Sequence, residues 1–345
     1  MTIPLLEGRN VSRRFSRSLD LAEKAARLFG AKVHEPVVHA VDDASVAVMP
    51  GEVVSLVGES GCGKSTFGRV LAGILPASDG EVIWNGKPLG GLDARERKAM
   101  RLSTQMIFQD PMSTLNPRKR VVDLIGEAPR VHGIVSRREV RSYVASLMAR
   151  VGIDAAYMDR YPHQFSGGQR QRIGIARALA VKPKLLICDE SVAALDVSIQ
   201  AQILNLFMDL KRDLGLAYVF ISHDLGVVKH ICDRVVVMYL GRVVESAPAE
   251  ELFAAPKHPY TQALLRELPD IKDRKRKFAP IKGDIPSPLH PPSGCHFHPR
   301  CPFAFDRCRS ERPLLKQTGA GHLSACHLND AAASAPSMHL TKDQP

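Results

Sequence analysis

The chain has 345 residues, 45% of them hydrophobic and 24% charged, enough to bury a full core and a smaller appended unit. No run approaches the roughly 18 apolar residues that cross a bilayer, and "MTIPLLEGRNVSRRF" lacks an apolar stretch before a cleavage site, so a cytosolic protein able to dock on a membrane protein is expected. The net charge of +11 is densest in "KDRKRK" (272–277), which lacks the interleaved aromatics of a nucleic-acid platform and reads as a solvated linker ahead of a proline-rich stretch.

Taken in chain order, "DLAEKAARLFG" (20–30) predicts a short helix, with Asp20 and Glu23 in a capping pattern and Gly30 as C-cap. "EVVSLVG" (52–58) is a short apolar run followed by the amphipathic "STFGRVLAGIL", which predicts strand, loop, helix. The loop between them, "GESGCGKST", fits G-x-x-x-x-G-K-[ST] in full across Gly58, Glu59, Ser60, Gly61, Cys62, Gly63, Lys64, Ser65 and Thr66. Its glycines let successive N–H groups turn into one concavity that holds phosphate oxygens, and the following helix adds its positive end. Lys64 is placed to reach the β- and γ-phosphates, Ser65 to ligate Mg²⁺, and Thr66 to donate to a phosphate.

Residues from Asp110 to Ala180 read as mostly helical, with "RREVRSYVASLMARVGI" at helical spacing, an insert in an otherwise alternating chain. Within it "FSGGQRQR" (165–172) places Ser166 and the amides of Gly167, Gly168 and Gln169 at the start of a helix, a second anion-binding N-terminus. "KLLICDE" (184–190) is a buried strand whose carboxyl end carries Asp189 and Glu190, where α/β sheets bind ligands. Asp189 is expected to hold Mg²⁺ through its water shell and Glu190 to polarise the attacking water. "AYVFISH" (217–223) and "DRVVVMYLGRVVES" (233–246), the latter turning near Gly241, complete a largely parallel sheet.

Phosphate loop, "FSGGQRQR" and "LLICDE" in this order resemble the ATP-binding-cassette (ABC) ATPases, with Phe165 where leucine is usual. The resemblance implies an α/β P-loop (RecA-like) core with an antiparallel β subdomain and a helical subdomain at about 112–180, and a dimer in which the signature closes over the γ-phosphate held by the opposite subunit. It further implies roles for Gln109, which links Mg²⁺ and water to the helical subdomain; for Asp196 of "ALD", which faces the other subunit; for His223, at the γ-phosphate; and for Phe15, stacking on adenine. One cassette, and no coiled coil between loop and signature, favours a transporter subunit over a translation or DNA-repair ATPase or a metal- or redox-sensing one. "HPYTQALL" (258–265), "IKGDIPSPLHPPSGCHFHPRC" (281–301) and "GHLSACH" (321–327) resemble the C-terminal extension of dipeptide and oligopeptide importer ATPases, and the cassette sequence looks like the second ATPase subunit of such importers. The implied assembly is a heterodimer with a sister ATPase, two transmembrane permease subunits and an extracytoplasmic solute-binding protein, without nucleic acid, on the cytoplasmic face of a bacterial inner membrane. Residues 109–121 would face the permeases. Relatives of such importers also take nickel complexes, glutathione, opines or sugars. The expected division is cassette 1–245, extension 246–330 and a disordered tail 331–345.

Four of the 7 cysteines, Cys295, Cys301, Cys308 and Cys326, fall in the extension, whereas Cys62, Cys188 and Cys232 are scattered. A disulfide is disfavoured in the cytosol. Zinc usually shows a tighter C-x₂₋₄-C step, although His296, His298, His322 and His327 offer other ligands. Four thiolates at varied spacing suit a [4Fe–4S] cluster, which related importer ATPases carry, and four unligated thiols are the remaining alternative. The extension is expected to make no contact with the ATP chemistry.

Overall fold

Two long strands of an antiparallel sheet, β1 (Leu6–Ser16) and β2 (Val37–Val48), precede β3 (Val53–Val57), a wholly buried five-residue run that leads into α1 (Lys64–Leu71). This computed structural model describes residues 3–16, 36–110, 114–193, 195–267, 281 and 283–330, so the helix expected at 20–30, the basic run 272–277 and the tail 331–345 lie outside the described residues. Strands β4 (Asp79–Trp84) and β5 (Lys87–Pro88) and helix α2 (Ala94–Ser103) follow, α2 closed by a capping box between Asp93 and Glu96. Then come β6 (Thr104–Ile107), α3 (Val121–Val131), α4 (Val140–Arg150), α5 (Gly167–Leu179), β7 (Leu185–Asp189), α6 (Val197–Leu214), β8 (Ala217–Ile221), α7 (Leu225–Ile231), β9 (Arg234–Tyr239) and β10 (Arg242–Pro248). The last part holds α8 (Ala249–Ala254), α9 (Pro259–Arg266), α10 (Asp306–Ser310), β11 (Lys316–Gly319) and β12 (His322–Ser324).

The main sheet has eight strands in the order β11-β12-β10-β9-β3-β8-β7-β6, and the second has four in the order β2-β1-β4-β5. Pairings of β3 with β8 and β9, and of β7 with β6 and β8, are parallel; the four-stranded sheet is antiparallel throughout. A parallel strand is covered on both faces, which is why β3, β7 and β8 read as continuous apolar runs. Alternate residues nevertheless serve different cores. Leu186, Cys188, Tyr218 and Phe220 face a cluster built with α3 to α6. Leu185, Ile187, Val219 and Ile221 face one built with α1 and the antiparallel sheet.

A third cluster joins the extension to the cassette. Val57, Val235, Val237 and Tyr239 of the main sheet pack with Tyr260, Leu264 and Phe297 from beyond β10. Tyr239 and Tyr260 meet edge to face at 4.7 Å between centroids, and Phe297 lies 5.2 Å and 5.3 Å from them. Strand β12 also pairs with β10, so the extension lengthens the main sheet by a hairpin. Glu245 of β10, fully buried, is satisfied there by the Lys257 amide at 2.5 Å, the His258 amide at 3.1 Å and His322 Nε2 at 2.7 Å. The extension thus folds on the cassette's own core.

Candidate nucleotide site and the cysteine pocket

The phosphate loop bridges β3 and α1 as expected, with Gly58, Gly61 and Gly63 at φ +149°, +76° and +104°. Gly63 is obligatory in this geometry, because a Cβ there would stand 2.1 Å from the Ala40 carbonyl oxygen on β2. Ser60 and Gly61 are exposed at the turn; Cys62 is buried, and its carbonyl accepts from the Gly241 amide at 2.9 Å. Lys64, buried at the start of α1, donates from Nζ to the carbonyls of Gly58 at 2.7 Å and Glu59 at 2.9 Å, so its charge is held across the loop. Thr66 is half-buried in the first turn beside Ser65.

Two carboxylates meet that loop from the end of β7. Ser65 Oγ donates to Asp189 Oδ1 at 2.6 Å. Burial pushes the Asp189 carboxyl above its usual range, opposed by the Ser65 hydrogen bond and by Arg69, whose Nη2 lies 3.9 Å from Oδ2. A buried carboxylate paired with a hydroxyl at a phosphate loop is a hard-oxygen donor set that fits Mg²⁺. Arg69 carried no signal in the sequence; it is brought to Asp189 by the turn of α1.

Glu190 sits one residue on, at φ +45°, a left-handed conformation costing a non-glycine residue about 1 kcal/mol or more. The Glu190 amide donates to the Ile221 carbonyl at 3.0 Å and holds that conformation. Gln109 Nε2 donates to Glu190 Oε2 at 2.8 Å, and His223 Nδ1 lies 3.4 Å from Oε1. Two side chains, from the ends of β6 and β8, therefore converge on the carboxylate at the end of β7, Gln109 from a position 81 residues away in sequence. Such a carboxylate, oriented by a donor on one side and an imidazole on the other, can polarise a water.

The second helix start forms as read: Ser166 Oγ accepts from the Gln169 amide at 3.3 Å and Gln169 Oε1 accepts from the Ser166 amide at 3.0 Å. Gly168 packs so close to α6 that a Cβ would meet Ile199 at 2.5 Å, and Phe165 is buried in the helical core. Among the described residues no hydrogen bond or ion pair joins Ser166, Gly167, Gly168 or Gln169 to the phosphate loop. Asp196 is exposed immediately before α6. Phe15 is exposed near the end of β1, with the Arg13 guanidinium 4.6 Å over its ring.

The four late cysteines line one pocket, together with His258, His298, His327, Phe297 and Phe303. None of the seven cysteines is paired in a disulfide. Burial pushes Cys301 up to about 11 and Cys326 up to about 12, so these sulfurs stay protonated near neutrality unless a cation compensates. Among the described residues no three His, Cys, Asp or Glu side chains are grouped as holding a metal ion requires. The donor chemistry, four soft sulfurs facing one cavity, is of the kind that thiolate-held metals use, zinc and iron alike.

The sequence missed the extension's reach into this site. Tyr260 Oη accepts from the Glu59 amide at 2.8 Å, and Arg300 holds both carboxylate oxygens of Glu59, at 2.7 Å and 3.0 Å. Residue Glu59 lies inside the phosphate loop, which contradicts the expected separation of extension and nucleotide chemistry.

Comparison with known proteins gives two family matches: ABC transporter over residues 41–193, and oligopeptide/dipeptide transporter, C-terminal region, over residues 244–308. The chain is 51% identical to a probable peptide ABC transporter ATP-binding protein of Sinorhizobium fredii, over 88% of this chain and 86% of that protein. It is 48% identical to the oligopeptide transport ATP-binding protein AppF of Bacillus subtilis, over 87% and 92%, and 46% identical to the dipeptide transport ATP-binding protein DppF of Escherichia coli, over 91% and 94%. Among solved structures it resembles cbiO1 of Clostridium perfringens, part of an ABC transporter complex, at TM-score 0.59 and 28% identity, covering 73% of this chain and 92% of that one. It likewise resembles the ATP-binding cassette MJ0796, a dimer bound to ADP and Pi in a post-hydrolysis state, at TM-score 0.59 and 25% identity, covering 71% and 98%.

Proposed function

The chain belongs to the ABC transporter family of ATP-binding proteins, and from that membership we propose that it is the ATP-hydrolysing subunit of an importer that brings peptides across the cytoplasmic membrane. The observation that carries this reading is the complete phosphate loop and carboxylate set joined to a C-terminal region of the oligopeptide/dipeptide type. Lys64, the loop amides and Thr66 bind the phosphates of ATP. Ser65, Asp189 and Gln109 hold Mg²⁺, which supplies neutralisation of the developing phosphate charge. Glu190 orients and polarises the attacking water, with His223 beside the γ-phosphate and Gln109 reporting the site outward. Ser166, Gly167, Gly168 and Gln169 close over the nucleotide of the other subunit, Asp196 faces that subunit, and Phe15 stacks on adenine. The dimer described for MJ0796 supports this arrangement.

No helix of the described residues is long and apolar enough to cross a membrane. The working assembly is this chain with a sister ATPase, two permeases and an extracytoplasmic binding protein, at the cytoplasmic face of the inner membrane. In the extension, Cys295, Cys301, Cys308 and Cys326 hold a [4Fe–4S] cluster, with zinc as the competing occupant; their shared pocket supports the reading. A bound cluster would supply a cross-link of the loop segments that carry the four thiols.

Reconstitution with the permease and binding proteins that co-purify with the chain tests the transport reading. ATP-dependent accumulation of labelled dipeptides or oligopeptides is expected, and uptake of a nickel complex, glutathione or an opine in their place would replace the peptide assignment. For the pocket, anaerobic purification should give about four iron and four sulfide per chain with a brown chromophore. A colourless protein with stoichiometric zinc would refute the cluster.

A further inference from the structure

Glu59 is held from two sides by residues that lie beyond the cassette sequence. Its amide donates to Tyr260 Oη at 2.8 Å, and its carboxylate takes a two-pronged contact from Arg300, with Nη1 to Oε2 at 2.7 Å and Nη2 to Oε1 at 3.0 Å. The Arg300 side chain is only 4% exposed, that of Glu59 21%. Burial and fork geometry put this pair outside the class of surface ion pairs that contribute little. Arg300 Nη1 also approaches Tyr239 Oη at 3.4 Å, and Arg300 directly precedes Cys301 of the cysteine pocket.

The loop leaves little slack for this contact to be absorbed. A Cβ at Gly58 would meet the Met238 carbonyl oxygen at 2.2 Å, so the backbone lies tight against β9 just before Glu59. Both carbonyls that receive Lys64 Nζ belong to Gly58 and Glu59. Arg300 thus acts on Glu59, Glu59 fixes those two carbonyls, and they set where the Lys64 ammonium waits.

We propose that Arg300 is a positioning residue of the nucleotide site: it clamps Glu59 from the cysteine-bearing extension, so that the packing of the extension is read out as affinity for nucleotide. Linkage makes the effect reciprocal, and bound nucleotide tightens the extension at its Arg300 turn. The proposal rests on the nucleotide reading of the loop, and the two are separable by experiment.

Arg300→Gln is expected to weaken equilibrium binding of Mg–ATP and Mg–ADP to the full-length protein by about tenfold, and Arg300→Lys, which keeps charge but loses the fork, by about threefold. Glu59→Gln combined with Arg300→Gln should be no weaker than Arg300→Gln alone, because both changes remove one contact. In the parent protein Mg–ADP should slow amide hydrogen exchange over residues 297–301, and in Arg300→Gln it should not. Binding by Arg300→Gln within twofold of the parent, or additive losses in the double variant, would overturn the proposal. Should Arg300→Gln fold poorly, exchange in the parent decides alone: unchanged protection of 297–301 on adding Mg–ADP rejects the coupling. Lys64→Ala separates the two readings, since normal ATP binding by that variant removes the nucleotide assignment itself, whereas its loss beside intact Arg300→Gln binding removes only the clamp.

Discussion

Glu190→Gln is expected to lower ATP turnover by on the order of 10²–10³-fold while leaving ATP binding close to that of the parent. The reason lies in what surrounds the carboxylate. Gln109 Nε2 donates to one oxygen at 2.8 Å, a contact that an amide oxygen can also accept, so the substitution keeps shape and one hydrogen bond. It removes the charge that polarises water. The backbone at φ +45° is fixed by the Ile221 carbonyl and does not depend on the side chain. Steady-state phosphate release and equilibrium binding of Mg–ATP make the check. Hydrolysis near the parent's rate would take the water-polarising role away from Glu190.

Phe297→Ala should be the most damaging single truncation in the extension, at a cost of about 3–5 kcal/mol. Phe297 is 1% exposed, and its ring is the shared neighbour of Tyr239 on the main sheet, Tyr260 on α9 and His258, at 5.2, 5.3 and 5.9 Å between centroids. Removing it opens a cavity between cassette and extension at the point where Cys295 and Cys301 also pack. The thermal midpoint should fall by roughly 10 °C, or the melt should split as the extension releases first. One transition within a degree or two of the parent would mean that this aromatic contact does not dock the extension. Phe303→Ala, at an exposed ring, is the control and should cost far less.

Much of the site was legible because its parts are local. The loop 58–66, the helix start at Ser166 and the pair Asp189–Glu190 each occupy a short run whose spacing sets its geometry, and the structure has them on a loop, a helix start and a strand end. The strands β3, β7, β8, β9 and β10 announced themselves as apolar runs for the same reason. β1, β2 and β4 did not. The apolar residues Val82, Ile83 and Trp84 are consecutive in β4, β2 breaks its alternation at Asp42 and Asp43, and β1 shifts register between Gly8 and Arg14, so no clean two-residue period survives.

Other features needed the third dimension. The left-handed backbone of Glu190 is set by a neighbouring strand, and no residue preference marks it, since glutamate rarely adopts it. Arg69 reaches Asp189 only through the turn of α1.

The chemistry is encoded by residue type at short range: an ATP-type phosphate loop, its carboxylates, and four thiols in a late stretch. That this stretch joins the cassette follows only from folding. Arg300 and Glu59 are 241 residues apart, and an ion pair across that distance leaves no periodicity or spacing to read. It exists because β12 extends the main sheet and Phe297 fills the space between Tyr239 and Tyr260, burying apolar surface that neither part could bury alone.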